Sequence, residues 1–183
     1  RDNCFMYHTM KLLILVLLTT VTSWSAPFPV SGTSLMTDPE EGRFLAPHGF
    51  RLKTTNLKWT IVPEEKASIF QTFRFAPLDN QTAQLTVRKD DLGQHKNLEV
   101  YAKKWMREYP QYGFEILTTK NIQLGGGDAL LIDLVHRAKN QQIRQLVLHK
   151  NKKVVILTCL DEISKFRSTV SDCNQMMTSF SWK

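Results

Sequence analysis

Two stretches of the chain carry apolar residues at steps of three and four, the spacing that places them on one side of a helix. The first stretch covers residues 98–109, with Asn97 in position to cap its start and Pro110 to end it. The second covers residues 162–180, and Asp161 is its predicted cap. We therefore predict a mid-chain helix and a longer C-terminal helix, each burying one side against a core.

Elsewhere the pattern changes to short runs in which apolar and polar residues alternate, which is typical of half-buried strands. Before the first helix these runs cover residues 43–52, 59–62, 68–76 and 84–88. Between the two helices they cover residues 114–124, 129–138, 143–150 and 154–160. Because the joints are short and rich in turn residues, the last four strands are predicted to form an antiparallel meander. The order of elements indicates an α+β fold with a central antiparallel sheet of about six strands.

The turn between the last two strands determines which side chains share a face of the sheet. If Asn151 and Lys152 form a two-residue turn, the facing pairs are Leu148 with Val155, Leu146 with Leu157 and Arg144 with Cys159. If the same ladder extends to the preceding strand, the face of Leu148 and Val155 also carries Ile132, Leu134 and His136. The opposite face is then mixed, and its polar residues include Asp133, Gln145, His149 and Thr158.

Two cysteines are predicted to meet in the layer between the sheet and the last helix. Cys159 shares the face of Leu157, and Cys173 lies in the apolar stripe of the C-terminal helix, so both thiols point into one layer. We predict a disulfide between Cys159 and Cys173. Two buried free thiols or a redox pair are the alternatives, although the spacing differs from the two intervening residues of a thioredoxin-type motif.

The beginning of the chain has the pattern of a secretory signal peptide. Residues 10–25 contain a lysine, an apolar run and then small residues, with a predicted cleavage between Ser25 and Ala26. The apolar run is shorter than the roughly 20 residues of a spanning helix, so no transmembrane helix is predicted. We interpret 1–9 as upstream residues, 26–42 as a flexible leader and 43–183 as a single domain. The expected location is the periplasm or the extracellular space, with a protein that is soluble after cleavage.

The chain is basic, with a formal net charge of +7 at pH 7. Local clusters of basic residues occur on the first predicted helix, at Lys103, Lys104 and Arg107, and at a predicted hairpin tip, at Lys150, Lys152 and Lys153. Such a surface attracts anionic partners, and we expect a protein or an anionic envelope component. An ordinary solvated surface that keeps the protein soluble is the alternative. Export, and the lack of interleaved aromatic residues, argue against nucleic acid.

The motifs of catalysis and of cofactor binding are mostly missing from the sequence. Residues 125–127 are glycines, but a strand pattern follows them, which favours a turn over a phosphate-binding loop. The histidines lack metal-ligand spacing, so we predict no metal and no cofactor. One polar cluster could support general base chemistry, namely Asp133 and His149 flanked by Gln145 and Thr158. Asn80 begins a glycosylation sequon, which is meaningful only in a eukaryotic source.

Several stretches of the chain resemble those of one known superfamily. They are residues 98–104 (LEVYAKK), 112–114 (YGF), 124–126 (LGG) leading into Ala129, 144–145 (RQ), 155–159 (VILTC) and 178–180 (TSF). Together with the element order, they resemble the PsbP-like superfamily, which includes photosystem PsbP subunits, the bacterial envelope protein DcrB and a Ran-binding nuclear-import factor. The resemblance extends from about residue 43 to residue 183. It implies an α/β/α sandwich around an antiparallel sheet, used as a non-catalytic binding or assembly module.

The sequence therefore leads to two main hypotheses of function. The first is an exported, non-catalytic module that docks a protein or an anionic envelope component through the six basic residues named above. The second is a small hydrolase or ligand-binding enzyme that uses the face of Asp133 and His149. A structural stabiliser within an envelope complex is a third possibility.

Overall fold

The centre of the fold is a seven-stranded antiparallel sheet that carries one helix on each side. This structure is a computed structural model, and it describes residues 37–38, 42–43, 49–54, 58–62 and 72–183. All of these residues belong to one unit, Ser34–Lys183. The signal peptide predicted at 10–25 and most of the leader predicted at 26–42 lie outside the described residues. The α+β class and the predicted pair of helices are confirmed, and the sheet has one strand more than the predicted six.

The helices are α1 (Leu98–Glu108) and α2 (Phe166–Thr178). The strands of the large sheet are β4 (Trp59–Val62), β5 (Thr72–Pro77), β6 (Gln84–Asp91), β7 (Glu115–Leu124), β8 (Gly127–His136), β9 (Gln141–Lys150) and β10 (Lys153–Glu162). Their order across the sheet is β4-β5-β6-β10-β9-β8-β7. The short strands are β1 (Thr37–Asp38), β2 (Gly42–Arg43), β3 (Phe50–Arg51) and β11 (Ser181–Trp182), paired as β1 with β2 and β3 with β11. Neither α1 nor α2 combines the length and the apolar character that crossing a bilayer requires.

Helix α1 packs on one side of the sheet, which we call the α1 face. Asn97 caps the helix as predicted, because its side-chain oxygen accepts a hydrogen bond from the N–H of Val100 at 3.0 Å. The apolar stripe of α1 is buried against β8, β9 and β10, through Leu98, Tyr101 and Ala102 on the helix and Ile132, Val147 and Ile156 on the strands. A short 3-10 turn, Tyr109–Tyr112, follows the helix.

Helix α2 packs on the opposite side, which we call the α2 face. The larger core of the protein lies here, and it includes Leu146, Leu148, Val155 and Leu157 from the strands with Cys173, Met176 and Met177 from the helix. Cys159 and Cys173 are joined by a disulfide in this core, with their Cα atoms 6.0 Å apart. The predicted disulfide is thus confirmed, and both sulfur-bearing residues are fully buried.

The register predicted for β9 and β10 is confirmed, whereas the extension to β8 is wrong by one residue. Leu148 faces Val155, Leu146 faces Leu157 and Arg144 faces Cys159. On β8, however, Ile132, Leu134 and His136 lie on the α1 face, because Ile132 pairs with Gln145 and Leu134 with Ile143. The cause is the loop between His136 and Gln141, which contains a 3-10 turn and a left-handed Asn140 with φ of 53°. A slip of one residue moves every side chain of a strand to the other face.

Asp161 does not cap the last helix, in contrast to the prediction. Strand β10 continues to Glu162, and α2 begins only at Phe166, without a side-chain cap. The fully buried carboxylate of Asp161 instead accepts hydrogen bonds from the hydroxyls of Thr82 and Thr169 and from the amide of Asn80. It therefore joins the β5–β6 loop, which contains the sequon, to the start of α2.

Candidate functional site

The basic residues of the mid-chain helix lie on its solvent side. We call Lys103, Lys104 and Arg107 the α1 basic group; all three are exposed, and they border a shallow cleft of about 480 Å³ together with His95 and Val100. Glu99 pairs with the ammonium of Lys103 at 2.7 Å, one helical turn apart. The ammonium of Lys104 lies 5.2 Å from the ring centre of Trp105. This cation–π contact holds the charge of Lys104 close to the helix surface.

The second set of basic residues lies at the turn between β9 and β10. We call Lys150, Lys152 and Lys153 the turn basic group, and all three are exposed. Lys150 and Lys153 are directly opposite each other on the two strands, and Asn151 has the left-handed φ of 58° that a tight hairpin requires. On its other side, Lys153 is opposite Asp91 of β6. The turn thus concentrates positive charge at one end of the sheet.

One segment connects the two basic groups. The N–H of Leu92 donates a hydrogen bond to the carbonyl of Lys152 at 2.8 Å, and the chain then runs directly into α1. Lys96 is exposed within this segment, and the sequence analysis did not include it. The structure therefore places the α1 basic group and the turn basic group on elements that are attached to each other.

The predicted polar cluster is not assembled. Asp133 points to the α2 face, where it forms a two-point ion pair with Arg144 at 2.7 and 2.9 Å, and Arg144 also donates to Asn174 at 3.1 Å. The hydrogen bonds that Arg144 donates to Asp133 raise the pKa of its guanidinium. By the strand register, Gln145, His149 and Thr158 lie on the α1 face. Asp133 and His149 are therefore on opposite sides of the sheet and cannot act as an acid–base pair, and the prediction of a common face was wrong.

A cavity of about 190 Å³, which was not predicted from the sequence, lies between α1 and the sheet. It is lined by Thr86, Arg88, Tyr101, Ala102, Trp105, Tyr109, Ile132, Gln145, Val147, Ile156 and Thr158. Its floor contains three polar residues in a row across adjacent strands, because Thr158 is opposite Thr86 on one side and Gln145 on the other. The predicted register of β9 and β10 already placed Gln145 next to Thr158, which was the available signal.

Three aromatic side chains of α1 and of the turn after it form the roof of this cavity. The hydroxyl of Tyr101 donates to Asp90 at 2.7 Å, and the hydroxyl of Tyr109 donates to Gln145 at 2.6 Å. Burial raises the pKa of Tyr101, and the hydrogen bond to Asp90 raises it further. Burial likewise raises the pKa of Tyr109, so both phenols remain protonated at neutral pH. The third aromatic residue, Trp105, lies 5.5 Å from the guanidinium of Arg88.

Within residues 49–54, 58–62 and 72–183, no group of three or more His, Cys, Asp or Glu side chains is arranged to hold a metal ion.

No family model matches the sequence, and no curated protein matches it either.

The comparison with solved structures gives similar folds at low sequence identity. Cyanobacterial PsbP (CyanoP) from Synechocystis sp. PCC 6803 is 14% identical with a TM-score of 0.57, and the alignment covers 75% of this chain and 88% of that one. LpqN of Mycobacterium tuberculosis, which is involved in cell envelope biogenesis, is 13% identical with a TM-score of 0.56, covering 72% and 82%. A Pseudomonas aeruginosa protein of unknown function is 14% identical with a TM-score of 0.53, covering 66% and 94%. The chain therefore has a PsbP-like fold, as the sequence resemblance implied.

Proposed function

We propose that the protein is an exported, non-catalytic binding or assembly module that docks an anionic partner through its basic surface. The partner is a protein or an anionic component of the cell envelope. The observation that carries this proposal is the turn basic group, in which Lys150 and Lys153 face each other across a hairpin and Lys152 lies between them.

Like charges placed directly opposite each other on two strands repel, and this arrangement lowers the stability of the hairpin. Asp91 offsets part of the repulsion, since it faces Lys153 from β6. The remaining charge is exposed to solvent at the end of the sheet, where a bound anion can reach it. An anionic partner would relieve the repulsion and at the same time gain from the concentrated charge.

The α1 basic group adds a second basic surface, on the other side of the sheet from the side chains of Lys150 and Lys153. Val100 is 44% exposed and borders the cleft with these residues and with Glu108. The surface therefore offers an apolar contact next to basic side chains, of which Lys103 is paired with Glu99. A surface of this kind suits an acidic protein segment, which can bury an apolar side chain while its carboxylates pair with the lysines.

The fold and its neighbours support a role in the envelope. LpqN shares this fold, and it takes part in cell envelope biogenesis in its own organism. The signal peptide predicted at residues 10–25 agrees with such a location. The absence of the Asp133–His149 pair removes the sequence feature that favoured a hydrolase, because Asp133 is held by Arg144 on the α2 face.

The proposal is tested by reversing the charge of the turn. The triple variant Lys150→Glu, Lys152→Glu and Lys153→Glu is compared with a matched control that has the same change of net charge, namely Lys120→Glu, Lys139→Glu and Lys165→Glu. These control lysines are also exposed, and they lie outside both basic groups. Each immobilised protein is exposed to a native envelope extract and eluted with a rising salt gradient.

We expect the unmodified protein and the control variant to retain the same salt-released components, and the turn variant to lose them. Equal retention by the turn variant and the unmodified protein would contradict the proposal. Equal loss in both variants would also contradict it, since the effect would then come from net charge and not from the turn.

A further inference from the structure

The cavity beneath α1 has a polar floor in the middle of an apolar interface. Thr86, Thr158 and Gln145 form one row across β6, β10 and β9, whereas the neighbouring residues on the same face, Ile156 and Val147, are apolar. Polar side chains between a sheet and its covering helix cost free energy unless they are hydrogen-bonded. All three side chains are partly exposed, and the hydroxyl of Tyr109 is one polar group that lies above them.

The hydrogen bonds within the protein leave this row partly unsatisfied. Gln145 accepts from the hydroxyl of Tyr109 at 2.6 Å, which uses its carbonyl oxygen. Its amide nitrogen donates to the hydroxyl of Thr158 at 3.4 Å, which is longer than the usual range of about 2.7–3.2 Å. The second amide N–H of Gln145 and the hydroxyl of Thr158 can therefore still donate, and a ligand that presents hydrogen-bond acceptors fits them best.

The charges around the cavity favour an acceptor that is an anion. Arg88 lines the cavity, and its guanidinium lies 5.5 Å from the centre of the Trp105 ring. Lys104 also contacts this ring, at 5.2 Å, but it lies on the solvent side of α1 and does not line the cavity. The carboxylate of Asp90 accepts a hydrogen bond from the hydroxyl of Tyr101 at 2.7 Å and lies 3.4 Å from the guanidinium of Arg88. The guanidinium of Arg88, which lines the cavity and is also paired with Asp90, is the group that attracts an anion there.

The size of the cavity limits the ligand. Ordinary ligand pockets have volumes of about 300–1,000 Å³. At about 190 Å³, this cavity has room for about six water molecules, or for a compound with one ring or a short chain. The aromatic side chains of Tyr101, Trp105 and Tyr109 form its roof. They provide a flat apolar surface against which the ring or chain of such a compound can pack.

The geometry points to a binding site for a small organic carboxylate between α1 and the sheet. The carboxylate accepts hydrogen bonds from Gln145 and Thr158 near Arg88, and the apolar body lies against Trp105 and Tyr109. This site is separate from the basic surface, so it goes beyond the docking role proposed above and does not depend on it.

The test uses benzoate as the probe and benzyl alcohol as a neutral probe of the same shape. Binding is followed in the purified protein by isothermal calorimetry and by the NMR signal of the Trp105 indole N–H, assigned with Trp105→Phe. Thr158→Val removes one hydroxyl without changing the volume of the side chain. Thr119→Val is the matched control, since Thr119 is exposed on β7 and does not line the cavity. Ala102→Leu fills the cavity from the helix side.

We expect benzoate to bind saturably to one site and to shift the Trp105 signal. Thr158→Val should weaken the affinity by about tenfold, the effect of one hydrogen bond to a charged group. Thr119→Val should leave it unchanged, Ala102→Leu should abolish binding, and benzyl alcohol should bind at least about tenfold more weakly.

The inference is overturned if neither probe binds saturably, because the cavity then holds only water. Equal affinities for the two probes would overturn the assignment of an anion. Equal behaviour of Thr158→Val and Thr119→Val would show that benzoate binds elsewhere, whether or not Ala102→Leu folds.

Discussion

Cys159 on β10 is bonded to Cys173 on α2, so the central strand of the sheet and the last helix are covalently joined within the core of the α2 face. The sequence separation of the two residues is 14, and the closed loop contains the whole connection from β10 to α2. The disulfide that closes this loop stabilises the protein mainly because it reduces the conformational entropy of the unfolded chain.

Removal of this disulfide should lower the free energy of unfolding by about 3 kcal/mol in the chain-entropy view. The measurement is urea denaturation of the protein with and without a reductant. The double variant Cys159→Ala and Cys173→Ala is the control, and its stability should not respond to the reductant. A wild-type midpoint that is also insensitive to reductant would contradict this expectation.

The stability of the protein should fall in acid partly because of Asp161. Burial by itself would raise the pKa of Asp161, but hydrogen bonds from Thr169, Thr82, the N–H of Glu162 and Asn80 together hold the pKa below its usual value. A carboxyl group with a lowered pKa stabilises the folded state above its unfolded pKa of about 3.9. This contribution is lost as the pH falls through the lowered pKa.

Asp161→Asn should therefore be less stable than the unmodified protein at neutral pH, by about 1–3 kcal/mol, and the difference should shrink at low pH. Denaturant titrations between pH 2 and pH 7 would measure this. Asp172→Asn serves as a control, since among the described residues Asp172 accepts one hydrogen bond, from the indole N–H of Trp59 at 3.2 Å. A constant difference across this pH range would refute the role assigned to the Asp161 carboxylate.

The ion pair of Asp133 and Arg144 should contribute to stability. Asp133→Ala removes the two hydrogen bonds that the guanidinium donates to Asp133 and leaves the partly buried Arg144 with its bond to Asn174. We expect a loss of about 2 kcal/mol in the free energy of unfolding, typical of hydrogen bonds to charged groups. His149→Gln should lower the free energy of unfolding by clearly less, because His149 lies on the α1 face and takes no part in this ion pair. Thermal unfolding of the two variants compares them, and equal losses would argue against this assignment.

Gly113 should be hard to replace, for two separate reasons. Its φ of 80° lies in the left-handed region, and an added Cβ would lie 3.0 Å from the imidazole of His136. Gly126 has a similar φ of 79°, but a Cβ there would meet nothing within 4 Å. Gly126→Ala should therefore lower the free energy of unfolding by about 1–2 kcal/mol through backbone strain alone. Gly113→Ala should lower it by more, because the contact with His136 is added to the strain. Equal losses in chemical denaturation would show that His136 moves away freely.

The sequence predicted the elements whose signals are local. Asn97 is followed by a regular apolar stripe, so both the cap and the start of α1 could be identified. Asn151 and Lys152 form a two-residue turn, and this short connection left one possible register for β9 and β10. The disulfide followed from that register and from the stripe of α2, which contains Cys173.

The errors arose where the outcome depends on loops or on tertiary packing. The loop from His136 to Gln141 contains a 3-10 turn, which alternation cannot detect, and a single-residue slip moved Asp133 to the α2 face. Asp161 resembles a helix cap in sequence, but three partners from distant segments keep it in β10. The cavity beneath α1 depends on how the helix crosses the sheet, and no local pattern encodes that placement.

The salt dependence of partner binding tests the docking role most directly. The retained fraction of envelope components would be measured for the unmodified protein and for the Lys150→Glu, Lys152→Glu, Lys153→Glu variant as the salt concentration rises from low to high. We expect retention by the unmodified protein to fall steeply with salt and the variant to retain little at any salt concentration. Retention that does not change with salt, or that is the same for both proteins, would contradict it.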